Sequence, residues 1–382
     1  MKQLLGTEAS RALLVLVVLL CAKGIQIVGW SPDAGTELLD TLSSRNLNKE
    51  AREAMTAGYY EGLINESSRV SSMNRLVTGT RRITFEDRSQ PDRRETHDFR
   101  FYELIPNSDI PDYRDGRQRY RLKTNSAGLA DREYTLEKPA GVRRIALMGD
   151  SITRGQGAPY LGAYESLLEQ KLNEAPTGGP ATRIEILNFA VGSYNATQML
   201  ETAKVMATPY KPDVYVIAMS KLSVYRQWGQ HIALLMNAGI DLKYDYLRNM
   251  TREAGLNPTE PIGVFDAKLA RFRIPTLKWV LSELQSHAVA NNATVVVLLI
   301  PTVEDTAVLK EEFLGVPEMI AGLGLPVIDL VDTFTNVDQS AYRVADNDTH
   351  PNAAGHQLLY QRLYERIMAD PQLRATLLGP PS

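Results

Sequence analysis

Apolar and polar positions alternate in blocks from Val142 onward, and the block lengths name the elements. Arg143–Met148, Arg183–Phe189, Val214–Met219, Thr294–Ile300 and Pro326–Leu330 are short, apolar-rich runs between polar stretches, the signature of strands. The Val-Val-Val-Leu-Leu-Ile stretch that ends at Ile300 is typical of a strand buried on both faces. Leu161–Asn173, a segment around Ala196–Thr208, Asp305–Gly322 and Asn352–Met368 carry helical patterns between them. This order predicts an α/β fold: a three-layer α/β/α arrangement around a flavodoxin-like, mostly parallel five-stranded sheet. Functional residues are then expected at the carboxyl ends of the strands.

The remaining segments read differently. Ala12–Ala22 is apolar except for Cys21, with Lys2 and Arg11 before it and Lys23 after it. Its length suits a signal-peptide core, and if Lys23 snorkels the span stretches to Trp30. Residues 1–30 are therefore expected to be a membrane anchor or a cleaved signal peptide, the anchor being favoured. Either places the rest of the chain outside the cytoplasm. Residues 31–79 are polar and helical, a stalk or linker in which Asn48 can cap a helix. Residues 80–141 contain short alternating stretches such as Asp98–Leu104 and a turn at Thr124–Leu129, which suggests a small β-containing lead-in. Gly178-Gly179-Pro180 is a loop. An insert at 222–273 lies between the third and fourth strands, a place where substrate-covering segments arise. Residues 371–382 read as a tail.

Composition removes several function classes. The 382 residues carry a net charge of -3, with 44% hydrophobic and 23% charged residues, so the chain is globular and has no electrostatic footprint for nucleic acid. The local basic excess, Arg93-Arg94 and Arg114 to Arg121, is diluted by acids and reads as a solvated surface. One cysteine permits no intrachain disulfide, and the five histidines lack the i, i+4 spacing of a zinc protease.

The chemistry sits at two distant places. Gly149-Asp150-Ser151-Ile152 follows the first strand and precedes a glycine-rich turn. A strand running into a tight turn can expose a serine hydroxyl as a nucleophile. Asp348-Thr349-His350-Pro351-Asn352 lies before the last helix and completes the residue types of a serine hydrolase.

On these blocks the stretch Val142–Asp370 resembles the SGNH/GDSL hydrolase superfamily of esterases, lipases, acetylhydrolases and acyltransferases, and Thr124–Tyr134 looks like the lead-in of envelope-associated bacterial members. The resemblance implies Ser151 as nucleophile, His350 as general base and Asp348 as its orienting carboxylate, with Asp346 as a fallback. It implies an oxyanion hole from the N–H of Ser151 and of Gly192 or Ser193, within Asn188–Tyr194. Asp150, Tyr164, Tyr194 and His356 are expected to be structural. The family's third block, Gly-x-Asn-Asp, has no counterpart: the third strand ends Ala218-Met219-Ser220-Lys221-Leu222-Ser223. Ser220, Lys221 or Ser223 substitutes for the Asn, or the hole has only backbone donors; Lys221 reads equally well as a solvated loop charge. The triad uses no metal or cofactor, and none is expected. The implied activity is an extracytoplasmic esterase or deacetylase acting on a small acyl ester or an acylated glycan. The alternatives are an O-acyltransferase for an exported polysaccharide and a non-catalytic envelope scaffold that keeps the fold.

Overall fold

The computed structural model describes residues 91–379 apart from 115–116, 175–180, 226–227, 261 and 347. The anchor or signal segment, the stalk, the start of the lead-in and the Gly178–Pro180 loop lie outside the described residues. Among the described residues no helix is long and apolar enough to cross a membrane.

The lead-in forms two antiparallel hairpins, β1 (Arg93–Glu95) with β2 (Tyr102–Leu104) and β3 (Asp109–Arg114) with β4 (Arg117–Lys123). The strand expected over Asp98–Leu104 begins only at Tyr102. The Asp98 carboxylate accepts from Thr96 Oγ1 (2.7 Å) and Arg100 N–H (2.8 Å), and Phe101 takes a positive φ of 69°. A local side-chain turn thus outcompetes extension. Arg93 departs from its expected surface position. It is buried while its neighbour Arg94 is exposed, as strand alternation dictates once one face of β1 is covered.

The central sheet is built from β5 (Val142–Met148), β6 (Arg183–Asn188), β7 (Val214–Met219), β8 (Thr294–Leu299) and β9 (Val327–Asp329). All neighbours are parallel and the order is β6-β5-β7-β8-β9. This is the flavodoxin-like order, in which the chain reverses its direction of travel between the first and third strands. Alternate residues of each strand enter different cores. Ile145 and Leu147 pack with α1 (Tyr164–Leu172) and the penultimate helix, whereas Ala146 and Met148 pack with α2 (Ala196–Thr202) and the long helix that precedes β8. Burial on both faces is why these strands read as unbroken apolar runs.

The insert is helical: α3 (Lys221–Tyr225), α4 (Trp228–Ala238), α5 (Asp245–Glu253) and α6 (Ile262–Leu269), followed by α7 (Arg273–Ala290). Its Ile232, Leu235, Leu247, Met250 and Phe265 join the same core as the lead-in's Phe99 and Tyr102. His231 bridges the two, with Nε2 donating to the Phe99 carbonyl (2.7 Å) and Nδ1 lying 3.0 Å from Thr197 Oγ1. The helix expected over Asp305–Gly322 is two, α8 (Thr306–Glu312) and α9 (Val316–Ala321), separated at Gly315 with φ 80°. A short pair, β10 (Arg343–Ala345) and β11 (Asp348–Pro351), precedes α10 (Ala353–Ala369). Residues Pro371–Leu378, expected within a tail, form α11. Asp370 accepts from the N–H of Gln372 and Leu373, Pro371 opens the helix, and Leu373, Leu377 and Leu378 enter the core.

A buried polar network ties the lead-in to the sheet. Asp131 accepts from the N–H of Asn188 (3.0 Å) and from Tyr134 (3.0 Å), while Asn188 Nδ2 donates to Glu165 (2.8 Å) and to the Thr153 carbonyl (2.7 Å). Burial first, then Asp131, pushes Glu165 from its ordinary 4.5 up to about 7. A carboxyl with a raised native pKa stabilises the fold fully below its unfolded value, and this contribution is lost as pH rises through the native value. Urea denaturation is therefore expected to show wild type losing stability relative to Glu165→Gln between pH 4.5 and about 7; a pH-independent difference between the two would contradict this.

Candidate active site

Glycine permits the first half of the site. A Cβ on Gly149 would lie 2.4 Å from the Thr153 side chain, so only glycine lets the chain fold back after β5. The turn closes with Arg154 N–H on the Asp150 carbonyl (2.9 Å) and Gln156 N–H on the Ser151 carbonyl (3.0 Å). Ser151 stands here, beyond the carboxyl end of β5 and at the switch point of the sheet.

The second half arrives on β11, which is held from three directions. Val303 N–H, after β8, donates to the Thr349 carbonyl (2.8 Å). His356 Nε2–H, on α10, donates to the Gln156 carbonyl (3.1 Å) of the serine turn. Gly157 has φ 89°, and a Cβ there would meet the Pro351 carbonyl oxygen at 2.2 Å. The serine turn and the histidine strand can touch because position 157 has no side chain. Burial holds His356 down at about 4, consistent with a neutral, structural imidazole.

The structure thereby brings together Ser151, His350 and Asp348. Ser151 Oγ lies 2.8 Å from His350 Nε2, and His350 Nδ1 lies 2.6 Å from Asp348 Oδ1. The same oxygen accepts the His350 main-chain N–H at 3.0 Å. An ionised carboxylate only accepts, so Nδ1 carries the proton and Nε2 is free to receive the serine's. The three residues are 9%, 8% and 6% exposed, screened from water yet reachable. Asp346, the fallback, is at the surface and pairs with Arg343 (2.9 Å).

The second block forms a turn in which Tyr194 N–H donates to the Val191 carbonyl (3.1 Å). The left-handed residue in it is Ser193, with φ 65°, not Gly192. Among the described residues none accepts a hydrogen bond from the N–H of Ser151, Gly192 or Ser193. Gly192 leaves room for two cations: a Cβ there would lie 2.7 Å from Arg93 Nη2 and 3.5 Å from the Arg154 guanidinium, so a side chain at this position would displace Arg93. Sequence reasoning missed Arg93 and Arg154. The one available signal was the strict exposure alternation that a strand at Arg93–Glu95 would impose.

The end of β7 is fully committed elsewhere. Ser220 Oγ donates to Asp150, whose other oxygen accepts Ile152 N–H (3.1 Å). Ser223 Oγ donates to the Ser220 carbonyl (2.9 Å). Lys221 is neither solvated nor turned toward the serine. It is buried in an ion pair with Glu304, which also accepts from Thr302 Oγ1 (2.5 Å). Asp150 is structural, as expected. Burial raises its carboxyl, and the Ser220 and Ile152 hydrogen bonds oppose that rise.

The sequence model of the GDSL-like lipase/acylhydrolase family matches residues 147–358. Among solved structures, similarity extends to a two-domain esterase active on acetylated mannans, with 12% identity, 63% of this chain covered and TM-score 0.40. This chain spans only 51% of that protein. A catalytic mutant of Axe2, an acetylxylan esterase from Geobacillus stearothermophilus, matches with 16% identity over 59% of this chain and 94% of its own, TM-score 0.40. TesA matches with 14% identity over 59% and 99%, TM-score 0.38. No curated protein is significantly similar to the chain.

Removing the Ser220 hydroxyl strips the buried Asp150 of a donor. Ser220→Ala is expected to cost about 1–3 kcal/mol of stability in urea denaturation. Unchanged stability with a collapsed kcat would instead place Ser220 at the reacting oxygen.

Proposed function

This chain belongs to the GDSL-like lipase/acylhydrolase family and is an esterase or acylhydrolase; from that premise we propose that it cleaves a small acyl ester through Ser151, His350 and Asp348. The observation that carries this reading is the continuous relay of 2.8 Å and 2.6 Å across residues 199 positions apart. Serine is a weak nucleophile until a base takes its proton. His350 Nε2 accepts that proton as Oγ bonds to the acyl carbon and the carbonyl electron pair moves onto oxygen. Asp348 fixes the ring through Nδ1–H and stabilises the imidazolium. The intermediate collapses, the imidazolium returns its proton to the leaving alcohol, and water repeats the sequence to release the acid and regenerate Ser151. The unused N–H groups of Ser151 and Gly192 are suited to the oxyanion. The acyl ester is proposed to be carried by a glycan outside the cytoplasm, a placement that draws on the apolar Ala12–Ala22 run alone.

Turnover of p-nitrophenyl acetate and labelling by a fluorophosphonate test the relay. Wild type is expected to do both, Ser151→Ala neither, and Asp348→Asn to lose on the order of 10⁴ in kcat with its fold intact. A wild-type protein that neither hydrolyses the ester nor is labelled at Ser151 would refute the proposal.

A further inference from the structure

We propose that Arg93, carried in by the lead-in hairpin, is a catalytic residue that donates to the carbonyl oxygen of the acyl ester, taking the role left open by the absent third-block Asn. The inference rests on the functional reading above.

Arg93 is buried, its side chain only 3% exposed. Its guanidinium lies over the Tyr102 ring (4.7 Å from the centroid), and Nε is 3.7 Å from Asp92 Oδ1, beyond hydrogen-bond reach. Nε has no hydrogen-bond partner, and among the described residues none accepts from its terminal nitrogens. A buried cation with unused donors is costly, and a catalytic role is one of the physical reasons such a group is kept. Its neighbour Arg154 also leaves Nε without a partner, but its terminal nitrogens are used: Nη1 is paired with Asp92 and Nη2 donates to Gln156 (3.0 Å). Two guanidiniums share the single Asp92 carboxylate, so a net positive charge remains beside Gly192. Burial would push Asp92 up, but Arg154 and Arg93 outweigh burial and keep it ionised.

The location matches the chemistry. Arg93 Nη2 stands 2.7 Å from the Cβ position of Gly192, the residue whose N–H is unused and adjoins the serine turn. The hairpin is fastened there, with Tyr102 Oη donating to the Gly192 carbonyl (3.3 Å) and Tyr194 Oη donating to the Tyr102 carbonyl. Ser220, Lys221 and Ser223, the other candidates for the role, are engaged elsewhere. As Ser151 Oγ bonds to the acyl carbon, negative charge collects on the carbonyl oxygen. A guanidinium N–H then gains strength as a charge-assisted donor in the transition state.

The test compares Arg93→Ala, Arg93→Lys and Gly192→Ala with wild type, using kcat and KM for p-nitrophenyl acetate, fluorophosphonate labelling of Ser151, and the thermal midpoint. Arg93→Ala is expected to lower kcat on the order of 10²-fold with KM changed far less. Arg93→Lys retains part of the rate, and millimolar guanidinium restores part of it to Arg93→Ala. Gly192→Ala displaces the guanidinium, so it lowers kcat in wild type and adds little in the Arg93→Ala background. If Arg93→Ala does not fold, the Lys and Gly192 variants carry the same comparison. An unchanged kcat, a rise in KM alone, or a lowered midpoint with no rescue by guanidinium overturns the proposal while Ser151-dependent turnover leaves the functional reading standing. Loss of wild-type turnover and labelling removes both.

Discussion

One close approach governs the site: the carbonyl of Pro351 lies where a side chain on residue 157 would be. That contact lets β11 lie against the serine turn and puts an imidazole 2.8 Å from a hydroxyl 199 residues earlier in the chain. Everything around it reinforces the placement. The His356 hydrogen bond to the Gln156 carbonyl ties α10 to the serine turn, and the Val303 hydrogen bond to the Thr349 carbonyl ties β11 to the chain after β8. The parallel sheet supplies the rigid platform, because its strands are packed on both faces and cannot tilt without disturbing two cores. Side chains held this way present a relay that is organised before substrate arrives.

The lead-in contributes more than a connection. Asp131 reaches the main chain of β6, Asn188 links that strand to the serine turn, and Asp92 pairs with Arg154 three residues after Ser151. The segment lies upstream of the stretch matched by the family model, which begins at residue 147, yet its polar groups border the same turn. The fully engaged end of β7 gives this arrangement its significance. Where the resemblance implies an Asn facing the reacting oxygen, Ser220 here satisfies the buried Asp150 carboxylate and Lys221 is paired with Glu304.

Much of this was legible in the sequence, for physical reasons. The β5 run announced a strand with Ser151 just beyond it, and the β8 run announced a strand buried on both faces. The resemblance pointed to His350 and Asp348, with Asp346 as a fallback, and Asp348 is the one that reaches both the ring and the main-chain N–H of His350. What escaped was information held in partners far away along the chain. Nothing near Gly157 tells of Pro351, and nothing near Arg93 tells of Gly192. An arginine among acids looks solvated until the surface that covers it is known. The helix at Pro371–Leu378 is different: an Asp-Pro start and leucines at i, i+4 were visible signals, outweighed by position at the chain's end.

The central claim is that the turn after β5 and the strand before α10 form one acyl-transfer centre. A crystal structure of the fluorophosphonate adduct tests it most directly. Phosphorus is expected on Ser151 Oγ, with the His350 ring still bonded to Asp348 and the phosphoryl oxygen held by the N–H groups of Ser151 and Gly192. An adduct on another residue, or a His350 ring with no path to the bound phosphonate, would contradict the account.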